Sequence, residues 1–391
     1  MTPPARLQAA AEILDEVIAA SASDGAPADA IVTRYFKTRR YAGSGDRRAV
    51  RELVFRAIRR SGESPGSGRA AILGLAEADP ALAEMFGEPR GPALRGGREE
   101  AAPAGLLPQW LEHELSPLVS AAEWPALLER APLDVRVNAA RTSRDALLAD
   151  FPEGAPTPLS PWGIRMPADS RVDQHPAFGH GLIEVQDEGS QLIALACDPR
   201  DGERILDLCA GAGGKALALA AAAPGAIILA TDSNRARLAK LPIRAGRAGA
   251  KIETRLLSPP NELTELSDWH ESADLVLVDA PCSGSGTWRR SPEGRWRLTP
   301  DRLDRVIALQ AHLLDLAAEL VRPGGRLVYA VCSILSREGA GQIGHFLDRH
   351  SSWIREETPI ATGRVDGAGR LLTPGHDTTD GFFVARLARP C

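Results

Sequence analysis

The sequence has 391 residues, 44% of them hydrophobic, and a formal net charge of -5. That length suggests two or three domains, and the charge argues against a uniformly basic nucleic-acid binder while leaving room for a local basic patch. Five scattered cysteines (Cys197, Cys209, Cys282, Cys332 and Cys391), none in CxxC spacing, argue against a disulfide framework or a zinc site and for reduced thiols in a cytosolic protein. The first residues lack a signal-peptide apolar core, and no apolar run is long enough to span a bilayer, so the expected location is the cytoplasm.

In chain order, Leu7, Ala10, Ile13, Leu14, Val17 and Ile18 fall at helical spacing and predict an amphipathic helix over residues 5–20. A second helix is expected from Asp46, as its cap, to Arg60, with an apolar stripe of Val50, Leu53, Val54, Ala57 and Ile58. Its other face carries Arg47, Arg48, Arg51, Arg56, Arg59 and Arg60, and Arg34, Lys37, Arg39 and Arg40 precede it. A solvated helix face and an RNA-backbone contact both explain this charge. A short helix is expected near Pro108, ending at Leu115. The first ~130 residues read as all-helical and hold no catalytic constellation.

The composition shifts at Pro132 to Asn138, which alternates like a strand, and Arg144 to Asp150 reads as a helix. Prolines and glycines over residues 152–181 predict a small α/β region or an elaborate linker. Ile183 to Gln191 leads into an apolar helix through Ala196. Arg204 to Cys209 reads as a buried strand, followed by Ala210, Gly211, Ala212, Gly213, Gly214 and Lys215 and then an alanine-rich helix. Glycines let a ligand approach the backbone, and helix N–H groups face it. The turn is neither a Walker loop nor a clean GxGxxG, and a plain strand-to-helix turn remains an alternative.

A second strand ends at Asp232, 25 residues after Asp207, where an acid can bind ribose hydroxyls or cap the next helix. Lys251 to Leu257 is a third strand. The apolar run Leu275, Val276, Leu277 and Val278 is a fourth, ending at Asp279, Ala280, Pro281 and Cys282. A long helix is expected from Leu303 to Val321, a strand from Arg326 leading into Cys332, a helix from Ser336 to Arg349, and a final alternating strand from Asp380 to Leu387. The order β-α-β-α-β-β-α-β-α-β indicates a doubly wound α/β sheet, whose ligands bind beyond the carboxyl ends of the strands. Asp279, Cys282 and Cys332 sit there; the bland alternative is a buried carboxylate with packed thiols. Cys197 reads as core, Cys391 as a chain-end thiol, and Cys209 as a small residue lining the site. Trp288 and Trp296 lie among Arg289, Arg290, Arg295 and Arg297; stacking of nucleic-acid bases and ordinary packing explain them equally.

These motifs together resemble the Sun/NOP-type RNA cytosine-5 methyltransferases, notably the bacterial branch acting on small-subunit ribosomal RNA. The resemblance rests on Asp207 to Lys215, Asp232 to Leu238, Asp279 to Thr287, Val328 to Ile334, Asp380 to Phe383 and, upstream, Val185 to Ser190. It covers residues 132–391 well; Arg39 to Arg60 more weakly resembles the branch's helical, NusB-like extension. The fold implied is a Rossmann-like class I methyltransferase sheet with an N-terminal all-helical NusB-like domain. The expected divisions are a helical RNA-binding domain over 1–130, a connecting α/β region over 131–182 and a catalytic domain over 183–391.

The resemblance implies transfer of a methyl group from S-adenosylmethionine to carbon 5 of a cytosine, with 16S ribosomal RNA as the first expectation. The alternatives are a transfer-RNA enzyme, a DNA enzyme in which Cys282 attacks, and a non-catalytic RNA-binding assembly factor. In the family, the cysteine matching Cys332 attacks carbon 6, the one matching Cys282 assists release, and the acid matching Asp279 holds the base. Lys215 favours negative charge nearby. Cys209, Ala210, Gly211, Ala212, Gly213, Gly214 and Lys215, with Asp232, Arg237 and Asp279, are the expected cofactor-binding set. No metal and no membrane are expected, and the protein is expected to be a monomer. The chain departs from the pattern at three places. Gly211-Ala212 stands for Ala-Pro, Val331 for a threonine, and Ser258 where an acid commonly follows the third strand near the adenine.

Overall fold

The computed structural model describes residues 1–23 and 25–391. They form two compact units. One comprises Met1–Leu115, Trp124–Glu129 and Thr287–Arg302; the other comprises Ser116–Glu123, Arg130–Gly286 and Leu303–Cys391.

The first unit is built on helices α1 (Pro3–Ser21), α2 (Ala28–Lys37), α3 (Ser44–Arg60) and α4 (Gly68–Ala78). Their apolar stripes merge in one core that includes Leu7, Leu14, Ile31, Val54 and Ile72. α4 lies against α1 so closely that a Cβ at Gly68 would stand 2.0 Å from the Ala11 carbonyl oxygen. α3 begins at Ser44, so Asp46 is not the residue before the helix. It accepts the Gly43 N–H at 3.1 Å from inside the first turn and also binds the Met1 ammonium at 2.9 Å. The expected helix ending at Leu115 shrinks to one 3-10 turn, Gln109–Leu111.

The tryptophan-arginine segment is packed, which corrects the base-stacking alternative. Trp288 and Trp296 are 1% and 7% exposed, and Arg295 is fully buried. Arg295 donates to the carbonyls of Ile58 (2.6 Å) and Ser61 (2.9 Å), and the Trp296 indole also donates to Ser61. Trp296 belongs to the core of the helical unit. Several α3 arginines are likewise engaged within the unit. Arg51 pairs with Asp29 at 2.8 Å, Arg56 with Asp79 at 3.0 Å, and Arg59 donates to the Leu128 carbonyl at 2.8 Å.

The second unit has two sheets. The smaller is antiparallel: β1 (Leu133–Val137), β2 (Ala155–Pro156), β3 (Gly163–Met166) and β4 (Ile183–Val185), in the order β2-β3-β1-β4. Residues 152–181 therefore belong to a small folded region with its own core of Val135, Phe151, Ile164 and Ile183. β4 pairs with β1, so the Ile183 strand belongs to this sheet.

The larger sheet contains β5 (Arg204–Asp207), β6 (Ile227–Asp232), β7 (Glu253–Leu256), β8 (Ala273–Asp279), β9 (Val321–Val331), β10 (Ile354–Glu356), β11 (Arg364–Asp366), β12 (Gly369–Leu372) and β13 (Phe382–Ala388). Its order is β11-β12-β13-β9-β8-β5-β6-β7, with β10 on β13. β5 to β9 run parallel, and β13 is antiparallel to β9. This is a mixed α/β sheet. Leu275, Val276, Leu277 and Val278 of β8 are all fully buried, each contributing ~1.5–3 kcal/mol of apolar burial. The longer helices of this unit are α5 (Glu188–Cys197), α6 (Gly214–Ala222), α7 (Leu241–Ala248), α8 (Pro300–Leu320) and α9 (Ala340–Arg349). α9 starts four residues later than expected, because Ser336 to Gly339 form a turn around Glu338. Among the described residues, no helix is long and apolar enough to cross a membrane.

Candidate active site

Asp279 is in register with Ala330, so β8 and β9 end side by side. Cys282 and Cys332 lie just beyond, with their sulfurs 3.3 Å apart. Two glycines allow the loops to close there. A Cβ on Gly286 would stand 2.0 Å from the Gly381 oxygen, and the Gly381 N–H donates to the Gly286 carbonyl at 2.7 Å. The hydrogen bond to Cys332, then burial, then the nearby negative charges push the Cys282 thiol well above its usual range. That shift favours the neutral thiol at Cys282.

Lys215, at the start of α6, places Nζ 2.7 Å from Asp279 Oδ2 and 5.5 Å from the centre of the Phe382 ring. Burial works against the Lys215 ammonium, but the charge and hydrogen bond of Asp279 outweigh it and raise its pKa. Asp207, at the end of β5, is fully buried, and neither carboxylate oxygen has a hydrogen-bond partner among the described residues. Burial, then the Asp279 charge, against the opposing pull of Lys215, raises its pKa to about 7.

The glycine turn folds around Asp232. Gly211 has φ +56° and donates its N–H to Asp232 Oδ2 at 2.8 Å. Asp232 Oδ1 accepts the Asn234 N–H at 2.6 Å, and Arg237 lies 3.3 Å from Oδ2. Gly213, at φ +83°, is required by packing as well, since a Cβ there would meet Leu241 at 2.1 Å. Ala212 offers its carbonyl to Arg244 at 2.6 Å. The carbonyl of Gly214 accepts from buried Arg136 at 2.8 Å, tying the small sheet to the turn. Cys209 lines the cleft with Asp232, Ser233 and Arg237, against Leu208, Leu257, Leu309 and Leu313. Burial, then neighbouring carboxylates, raises the Cys209 thiol well above its ordinary range, which disfavours the thiolate that a nucleophile needs. Ala210, beside it, donates its N–H to the Thr231 carbonyl at 2.8 Å, fixing the turn to β6.

The structure thus gathers every residue expected at the site into the strand-end region of one unit. Three groups were not legible beforehand. Glu338 is fully buried beneath both cysteine loops. It accepts the Ser283 N–H (2.8 Å), the Ser333 hydroxyl (2.5 Å) and the Gln310 amide (2.9 Å). Glu262, 4% exposed, lines the same cleft as Asp232 and sits 3.2 Å from His312 Nε2. Ser258, four residues earlier, is exposed and turns its N–H to Glu265. Arg136 is the third. The only advance signal for Glu338 was the repeated Cys-Ser pair, Cys282-Ser283 and Cys332-Ser333, whose shared partner spacing does not reveal.

A sheet of this order, with a glycine turn after its first strand and two thiols beyond adjacent strands, defines an α/β protein whose ligand cleft is at the strand carboxyl ends. The model of the family described as 16S rRNA methyltransferase RsmB/F matches residues 194–388. Ribosomal RNA small subunit methyltransferase B of Erwinia tasmaniensis is 35% identical over 292 residues, covering 73% of this chain and 66% of its own. The protein of that name from Enterobacter sp. strain 638 is 34% identical over 294 residues, covering 73% and 67%. The crystal structure of PH0851 superposes with a TM-score of 0.75 at 23% identity, covering 99% of each chain, a likeness of fold. The chain belongs to the RsmB/F family of 16S rRNA methyltransferases. It spans about two-thirds of the length of the curated relatives it matches.

Proposed function

We propose that the chain is an RNA cytosine-5 methyltransferase that acts on a cytosine of 16S ribosomal RNA, with Cys332 as nucleophile and S-adenosylmethionine as methyl donor. The observation that carries this reading is the pair of sulfurs 3.3 Å apart at the ends of adjacent parallel strands. Carbon 5 of cytosine is a poor nucleophile. Addition of the Cys332 thiolate to carbon 6 forms a C–S bond and makes carbon 5 an enamine carbon able to take a methyl group. A base takes the carbon 5 proton, and the electron pair of that C–H bond expels the thiolate as the C–S bond breaks and the ring double bond is restored. Cys282 assists this release. Asp279, held by Lys215, faces the N3 and amino edge of the base.

The cleft fits the methyl donor by its chemistry. Asp232 is an acceptor for ribose hydroxyls, the glycine turn admits close approach of the backbone, and Leu208, Leu257, Leu309 and Leu313 offer apolar walls for a purine. Glu262 is a buried acceptor in the same cleft. When bound, S-adenosylmethionine supplies an electrophilic methyl group. The helical unit is the RNA-docking part, through exposed Lys37, Arg40 and Arg48.

Bisulfite sequencing of 16S RNA and of DNA incubated with the protein tests this. A protected cytosine should appear in the RNA only when S-adenosylmethionine is present. Protection confined to DNA, or none with a folded protein, overturns the reading.

A further inference from the structure

We propose that Glu338 is the positioning residue of the two-thiol site: its carboxylate holds the Cys282 and Cys332 loops in one register so that one sulfur faces the other. The proposal rests on the reading of the site as a two-cysteine methyltransferase.

One carboxylate meets four donors from three segments. Oε1 accepts the Ser283 N–H at 2.8 Å and the Gln310 amide at 2.9 Å, while Oε2 accepts the hydroxyls of Ser283 and Ser333, each at 2.5 Å. Ser283 directly follows Cys282, and Ser333 directly follows Cys332. A carboxylate is an acceptor at every lone pair, so it can bind four donors at once where an amide would present hydrogens to some of them. Gln310 extends the clamp by donating to the Pro281 carbonyl at 2.9 Å, on the other side of Cys282. Ser285 closes it: its hydroxyl lies 2.9 Å from that of Ser333 and accepts the Ile334 N–H at 3.0 Å. The backbone of Glu338 is itself fixed, since Tyr329 donates to its carbonyl at 2.8 Å. The residues flanking both thiols are therefore referred to one buried group, and that group touches neither sulfur. After the hydrogen bond to Cys332 and burial, its charge also helps raise the Cys282 thiol.

The test compares Glu338→Gln, Glu338→Ala and Ser333→Ala with the parent protein in two assays. One is steady-state methylation of 16S RNA. The other is the rate at which diamide joins Cys282 to Cys332, followed by peptide mass mapping of the folded protein. Glu338→Ala should lower kcat at least ~100-fold, with both KM values within about twofold, and slow the disulfide at least ~10-fold; the Gln and Ser333 variants should fall between. Wild-type kcat and disulfide rate in Glu338→Ala or Glu338→Gln overturn the proposal. So does a fall in kcat with an unchanged disulfide rate, which gives Glu338 a role other than positioning. If Glu338→Ala does not fold, the Gln and Ser333 variants decide by the same criteria. A parent protein that joins its cysteines readily but methylates no RNA defeats the methyltransferase reading, while the disulfide rates still test the clamp.

Discussion

Lys215 Nζ lies 2.7 Å from Asp279 Oδ2, joining the glycine turn to the strand that leads into Cys282. The Lys215 side chain is 10% exposed and that of Asp279 30%. Lys215→Met keeps the length of the side chain and removes its charge. Methylation should fall ~100-fold or more, because Asp279 loses the group that orients it. Stability should fall by only ~1–2 kcal/mol, since solvent screens the exposed side of the pair. The Lys215 pKa is raised, so its contribution is full below the unfolded lysine value near pH 10 and is lost only above that. The deficit should therefore still be present at about pH 9. Turnover and urea midpoints measure both; wild-type turnover in a folded Lys215→Met variant contradicts the role.

Asp207 should make stability depend on pH in an unusual direction. Its carboxyl titrates at about 7 in the folded protein and near 4 in the unfolded chain. Between those values the folded state holds the extra proton, so stability falls as pH rises from ~4 to ~7 and levels off above. The loss is on the order of 4 kcal/mol. Asp207→Asn should gain stability over the parent as pH rises through that window. Urea denaturation from pH 4 to 8 checks this, and parallel curves for the two proteins would refute it.

Asp232 is expected to serve the methyl donor in two ways. It offers acceptors to ribose hydroxyls, and it holds the Gly211 and Asn234 N–H groups at 2.8 and 2.6 Å. Asp232→Ala should weaken S-adenosylmethionine binding by ~2 kcal/mol, roughly 30-fold. Calorimetry on the folded variant measures it, and unchanged affinity removes Asp232 from the cofactor site.

The basic helix of the first unit divides into two sets of side chains. Arg51 and Arg59 are bound within the unit, and Arg47 donates to the Ala42 carbonyl at 3.0 Å. Lys37, Arg40 and Arg48 are exposed. Replacing Lys37, Arg40 and Arg48 with Ala should weaken RNA binding and reduce its salt slope by ~2–3, without lowering the melting temperature. Replacing Arg59 alone should lower the melting temperature. An unchanged salt slope in the triple variant contradicts RNA docking by this face.

The strand-end chemistry was legible because buried parallel strands announce themselves as apolar runs. Leu275 to Val278 ends at Asp279, and the run through Val331 ends at Cys332, so both thiols could be placed without seeing the sheet. What remained hidden depends on contacts between distant segments. Glu338 follows Cys332 by six residues and reads as a helical acid until Ser283, Gln310 and Ser333 are seen to converge on it. Glu262 lies on a helical turn too short to leave a periodic signal. Trp288 and Trp296 look like a nucleic-acid surface because their local neighbours are arginines; the carbonyls of Ile58 and Ser61 that receive Arg295 are more than 230 residues away.

The division of labour between the two thiols is the central claim, and a denaturing gel tests it most directly. Cys332→Ala, Cys282→Ala and the double variant are each incubated with target RNA and S-adenosylmethionine, and protein–RNA complexes that survive denaturation are measured. Cys282→Ala should accumulate such a complex, because attack proceeds while release stalls. Cys332→Ala and the double variant should form none and should not methylate. A complex in Cys332→Ala but not in Cys282→Ala would reverse the two roles, and methylation by Cys332→Ala with no complex in any variant would contradict the covalent mechanism.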